Sequence, residues 1–118
     1  MIETVTFGLR LRPGCEAEYQ RRHDEIWPEL RAALLEVGIL HYEIHLLRPE
    51  GLLFAFQHRR RDHQVDRLRE TEVFRRWQAH MADILVQDGD GPLRLDLEPM
   101  FALTTPGLFA RPQREGEG

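Results

Sequence analysis

The sequence predicts an α+β fold of the ferredoxin-like kind, β-α-β-β-α-β, with an antiparallel four-stranded sheet and helices on one face. Three observations predict it. Four short runs carry strand-like alternation or apolar character. Two longer stretches carry apolar residues at helical spacing. A four-residue Pro/Gly turn joins the two middle strands into a hairpin.

The first strand covers residues 2 to 12, where Val5, Phe7, Leu9 and Leu11 point one way and Thr4, Thr6 and Gly8 the other. Pro13-Gly14 ends it. A helix is expected from about Glu16 to Glu36, closed by Gly38 as C-cap, with a kink rather than a stop at Pro28. Residues 39 to 47, ILHYEIHLL, form a second strand with Tyr42, Ile44 and Leu46 on one face and His41, Glu43 and His45 on the other. Arg48-Pro49-Glu50-Gly51 turns the chain into a third strand, LLFAFQH over 52 to 58. The run Arg59-Arg60-Arg61 then reads as a solvated strand exit.

A second helical region spans roughly 61 to 86, polar through Leu68 and then strongly amphipathic. Val73, Phe74, Trp77, Met81 and Ile84 make its stripe, and Thr71 is placed to cap it. Residues 87 to 92 form a loop, and 93 to 103, LRLDLEPMFAL, a last strand with Pro99 at an edge or bulge. The domain is expected to occupy 1 to 104, with a disordered tail over 105 to 118. The third strand is apolar on both faces, Phe54 and Phe56 alternating with Leu53 and Ala55. A second copy of the chain is the simplest cover for the face without helices, giving a homodimer.

With 118 residues, the chain fits one domain and one core. Apolar residues at 42% and charged residues at 31% describe a soluble globular protein, and a net charge of −4 excludes the basic footprint of a nucleic-acid binder. The single cysteine, Cys15, has no partner for a disulfide and no adjacent base; it reads as incidental, in a reducing cytoplasm. Neither a signal peptide nor a membrane-spanning run is visible.

The chemistry concentrates in EYQRRHDEIWPEL, residues 18 to 30. On a helix, Tyr19, His23, Ile26, Trp27 and Leu30 share a face, so a phenol and an imidazole lie one turn apart, about 6 Å between Cβ atoms. Imidazole is the side chain that exchanges a proton near neutral pH. The same pair also suits a core in which both rings pack and their polar tips are satisfied. Six histidines invite a metal, but His41 and His45 are about 13 Å apart on a strand, and no HExxH or paired CxxC appears. No metal and no cofactor are expected. The chain has no serine and no Gly-rich phosphate loop. What remains is a histidine among Tyr19, Trp27, Tyr42 and Trp77, a set suited to a small polar ligand such as a monosaccharide.

These residues also carry a resemblance. EYQRRHDEIWPEL, the HYEIHL and LLFAF strands, FRRWQAHMADIL and EPMFAL together resemble the L-rhamnose mutarotase family, in order, over about residues 2 to 103. The resemblance implies a dimeric α/β-barrel arrangement of ferredoxin-like domains and interconversion of the α and β anomers of L-rhamnose. It implies that His23 is the proton donor and that Tyr19 and Tyr42 bind the sugar. Trp77 matches the first of two adjacent sugar-lining tryptophans; Gln78 replaces the second and leaves the choice of sugar open. Two other classes share the expected fold: a dimeric α/β-barrel monooxygenase, separable by a haem spectrum, and a non-catalytic sugar-binding or stress-responsive module.

Overall fold

The computed structural model describes residues 2–107. Its main sheet contains β1 (Ile2–Arg10), β2 (Ile39–Leu47), β3 (Leu52–Arg60) and β6 (Arg94–Asp96), in the spatial order β2-β3-β1-β6 and antiparallel throughout. That is the ferredoxin-like order. The register sets one face: Leu9 opposes Leu53, Phe7 opposes Ala55 and Val5 opposes Gln57 across β1–β3, while Leu46, Ile44 and Tyr42 oppose the same three β3 residues from β2. The helices cover this face. Leu11 and Leu53 from the sheet join Tyr19, Leu30, Val73, Trp77, Met81 and Leu85 in one buried cluster.

The expected long first helix is two helices, α1 (Glu16–Asp24) and α2 (Pro28–Glu36). Pro28 stops and restarts the chain instead of kinking it. The residue before a proline is pushed out of the α region, and Trp27 is extended (φ −63°, ψ 130°) with Pro28 in the first turn of α2. Gly38 follows α2 at φ 107°, and its carbonyl accepts from the Arg60 amide at 2.8 Å.

The second helical region is also shorter than expected. A 3-10 segment (Val65–Glu70) precedes α3 (Glu72–Met81), separated by Thr71 in extended conformation, whose hydroxyl accepts from the Phe74 amide at 3.3 Å as the N-cap. Inside the expected loop, β4 (Gln87–Asp88) and β5 (Gly91–Pro92) form a two-stranded hairpin.

The last strand is three residues long, against eleven expected. Its ladder covers only Phe7 to Leu9 of β1. Beyond it, Met100, Phe101 and Leu103 are 84–87% exposed, with no surface of the described chain to pack on. Pro99 adds a position without an N–H for a ladder. Of the expected tail, residues 108 to 118 lie outside the described residues.

Candidate active site

α1 presents Tyr19 and His23 toward the sheet, as the one-turn spacing requires. Tyr19 is buried, and the two rings stack obliquely with centroids 4.3 Å apart. Trp77, from the middle of α3, meets the imidazole edge-on at 5.4 Å. Trp27 backs Trp77 from behind at 5.1 Å, also edge-on, and takes the packing role. His80 is exposed and leans on both indoles.

A cleft runs along both sides of this ring layer. One part has a volume of about 570 Å³, and Glu16, Asp24 and Arg48 are among its lining residues. The other has about 480 Å³ and contains Gln57, Arg59, Gln78 and Arg94. Tyr19, His23, Tyr42 and Trp77 line both. Each volume lies in the range that holds a small ligand. Gln78 lies in the second part, against the β4–β5 hairpin at Gly91. The structure thus brings His23, Tyr19, Tyr42, Trp77 and Gln78 to one cavity.

His23 Nδ1 lies 3.1 Å from the Tyr19 carbonyl, which can only accept. The neutral ring therefore carries its proton on Nδ1 and leaves Nε2 as a free base. Burial lowers the imidazole pKa below its ordinary value, opposed by the Tyr19 carbonyl bond and the charge of Asp24. Burial raises the Tyr19 pKa strongly, and Tyr42 adds to the effect, so Tyr19 stays a neutral hydroxyl. Tyr42 keeps 37% of its surface open to the cleft. Its hydroxyl end is enclosed, and burial raises its pKa against the Gln57 hydrogen bond and the charges of Arg59 and Arg94.

Three features escaped the sequence. Gln57 is 5% exposed and accepts from Arg59 Nε at 2.8 Å, so Arg59 belongs to the cavity and not to a solvated exit. A signal existed: Gln57 and Arg59 continue the Leu53-Ala55 alternation on the helix-covered face. Arg22 has a side chain only 10% exposed. It bonds Glu18 at 2.7 Å, Asp83 at 2.9 Å and the His80 carbonyl at 2.6 Å, clamping α1 to the end of α3. Glu43 is held by His41 at 2.6 Å and His45 at 2.9 Å, so these histidines converge on a carboxylate. Among the described residues, no group of three or more His, Cys, Asp or Glu could hold a metal ion. No helix there is long and apolar enough to cross a membrane.

Fold and site define a ferredoxin-like α+β protein with an aromatic cavity organised around one half-buried histidine. The sequence profile described as L-rhamnose mutarotase matches residues 4–103. The chain belongs to the L-rhamnose mutarotase family. It is 50% identical over 103 residues to an L-rhamnose mutarotase of Burkholderia orbicola, covering 86% of this chain and 99% of that one. With an L-rhamnose mutarotase of Jannaschia it shares 46% over 101 residues, covering 85% and 97%. A crystal structure of an L-rhamnose mutarotase from Formosa agariphila superposes with a TM-score of 0.79 at 33% identity, covering 86% and 99%. A protein described as a putative antibiotic biosynthesis monooxygenase from Caulobacter crescentus shares the fold alone, at 21% identity and a TM-score of 0.52, covering 83% and 91%.

Proposed function

We propose that the protein is a sugar mutarotase interconverting the α and β anomers of L-rhamnose, or of a related 6-deoxy or pentose sugar. His23 carries the proton, and Tyr19, Tyr42, Trp77 and Gln78 hold the sugar. One observation carries this reading. The His23 ring stands in the wall shared by both parts of the cavity, with Nδ1 tied to a carbonyl and Nε2 left for a ligand.

The mechanism follows from that tautomer. Nε2 of neutral His23 takes the proton of the anomeric hydroxyl as the bond between C1 and the ring oxygen breaks, and a proton from the open side of the cavity reaches that oxygen. The aldehyde turns about C1–C2. The ring oxygen then loses its proton and adds to the other carbonyl face, while the imidazolium returns its proton to O1. His23 is thus the base in opening and the donor in reclosure, as microscopic reversibility requires. Neutral Tyr19 and Tyr42 donate hydrogen bonds to sugar oxygens, and Trp77 offers a face to ring C–H groups. All atoms balance without a cofactor.

The active form in this reading is a cytoplasmic homodimer. The sheet face opposite the helices supports it: Phe54, Phe56, Leu47 and Leu95 lie there, Phe56 and Leu47 being 38% and 43% exposed. Anomer exchange of L-rhamnose followed by NMR tests the reaction. Wild type should accelerate exchange, and His23→Ala should lose about 10²- to 10⁴-fold of that acceleration. Acceleration that survives in His23→Ala refutes the role of His23; its absence in wild type, for rhamnose and for other 6-deoxy and pentose sugars, refutes the reading.

A further inference from the structure

The two ends of the cavity are charged oppositely. Glu16 and Asp24 with Arg48 line one part, whereas Arg59, Arg69 and Arg94 with only Asp90 line the other. The second end is therefore positive in a chain whose net charge is −4.

Its two inner arginines are poorly neutralised. Arg59 is half-buried on the helix-covered face, and its hydrogen-bond partner is the neutral amide of Gln57 at 2.8 Å. Glu3 and Asp66 act on it only from beyond ion-pair distance, and Arg94 repels it. Arg94, its side chain 43% exposed, places its guanidinium carbon over the Phe7 ring, 4.1 Å from the centroid, at the cavity wall. Its carboxylate partner, Asp96, stands 3.8 Å away and is 94% exposed, so the pairing is loose. Two guanidiniums held near each other by a ring and an amide, without a close carboxylate between them, present forked donors of the geometry that matches a carboxylate.

Tyr42 links this end to the reaction centre. It lines both parts of the cavity, and its hydroxyl meets the Gln57 side chain and the charges of Arg59 and Arg94. A sugar with its anomeric carbon at His23 and its ring turned into the second part of the cavity would bring its remote end past Tyr42 toward the arginines.

We propose that Gln57, Arg59 and Arg94 form an anion subsite in the sugar cavity, and that it selects monosaccharides carrying a carboxylate on C6, the hexuronates. The proposal rests on the mutarotase reading for the placement of the sugar. The reaction is the same anomer exchange, with one C–O bond broken and reformed and no further reactant. Gln57 positions Arg59, and the two guanidiniums bind the carboxylate.

The test uses sugars that differ from L-rhamnose only at C6: L-mannose, L-mannuronate and L-mannose 6-phosphate. Binding is measured by calorimetry and exchange by NMR. L-Mannuronate should bind wild type about tenfold or more tighter than L-mannose, with a preference that shrinks as salt is raised. That ratio should fall to near one in Arg59→Gln and in Arg94→Gln, and Arg59→Lys, which keeps the charge and the fold, should retain part of it. A wild-type ratio near one overturns the subsite, as does an unchanged ratio in both glutamine variants. A preference confined to the 6-phosphate overturns the assignment to hexuronates. Accelerated L-rhamnose exchange without uronate preference leaves the mutarotase reading standing and removes the subsite. Tight uronate binding without exchange of any sugar does the reverse.

Discussion

Gly38→Ala is expected to be among the more damaging single-methyl additions in this chain. Gly38 joins the end of α2 to β2, and its carbonyl accepts from Arg60 at the end of β3. Its φ of +107° is one that L side chains rarely adopt, and a Cβ there would sit 2.8 Å from His63 Cβ and 3.0 Å from His63 Cα. The first effect costs about 1 kcal/mol. The second is an overpacking against backbone, which adds about 1–3 kcal/mol. Together they predict a loss of about 2–4 kcal/mol, or roughly 10–15 °C in Tm for a domain of this size. Gly14→Ala separates the two effects, because Gly14 has φ +80° but nothing within 4 Å of the added carbon. It should cost only about 1 kcal/mol. Chemical denaturation of both variants checks the difference. Equal losses would show that His63 yields freely and that the close approach contributes nothing.

Arg22→Met keeps the side-chain volume but removes the clamp to Glu18, Asp83 and the His80 carbonyl. With two partly exposed carboxylates among the partners, the expected loss is about 1–2 kcal/mol by denaturant melts; a neutral result would make the clamp decorative. In the proposed mechanism His23, whose pKa is lowered by burial, works as the neutral base, so kcat/KM should rise with pH through a value below 6.5 and then level off. Activity that instead falls between pH 6 and 8 would require a resting imidazolium. The same shift has a sign for stability: the unfolded chain binds the proton more readily, so this contribution is present above pH 6.5 and is lost as pH falls through the lowered folded value. If the proposed homodimer forms through the uncovered sheet face, wild type should sediment as a dimer and Phe56→Glu, which puts a charge in the middle of that face, as a monomer. A monomeric wild type would refute the dimer, and unchanged sedimentation of the variant would refute this contact face.

The strand faces were legible because period-two alternation is unambiguous when one face is buried. Tyr42, Ile44 and Leu46 fall together as the pattern requires, and so do Phe7 and Leu9. Element ends were less legible. A helical stripe continues through Pro28 because Ile26 and Trp27 from the link and Leu30 from α2 still reach the core, so apolar spacing alone cannot tell a kink from a restart. The last strand was overestimated for a related reason. Alternation over 93 to 103 signals apolar side chains that need cover, but a strand also needs a partner edge, and β1 supplies one only to β6. In the site, Tyr19 and His23 were legible from one local spacing. Arg94 was not, because its place over Phe7 depends on the β1–β6 pairing, a contact between residues far apart in sequence.

The site is made from the core, and this limits which substitutions can report on chemistry. Tyr19 and Trp77 are 7% and 8% exposed and belong to the same cluster as Leu30, Leu53 and Met81. Truncating either one opens a cavity that costs about 3–5 kcal/mol, a large share of the stability of a small domain. Activity lost in Trp77→Ala therefore mixes unfolding with loss of sugar contact. His23 is different: it is half-buried, its ring packs on Tyr19 and Trp77 at the edge of that cluster, and its bond runs to a backbone carbonyl that α1 keeps in place whatever occupies position 23. His23→Gln, which keeps a polar side chain of similar size, should cost about 1–2 kcal/mol, less than either truncation, while exchange collapses. A variant that loses stability and activity together would place His23 in the packing of the domain. One that loses only activity places it in the chemistry.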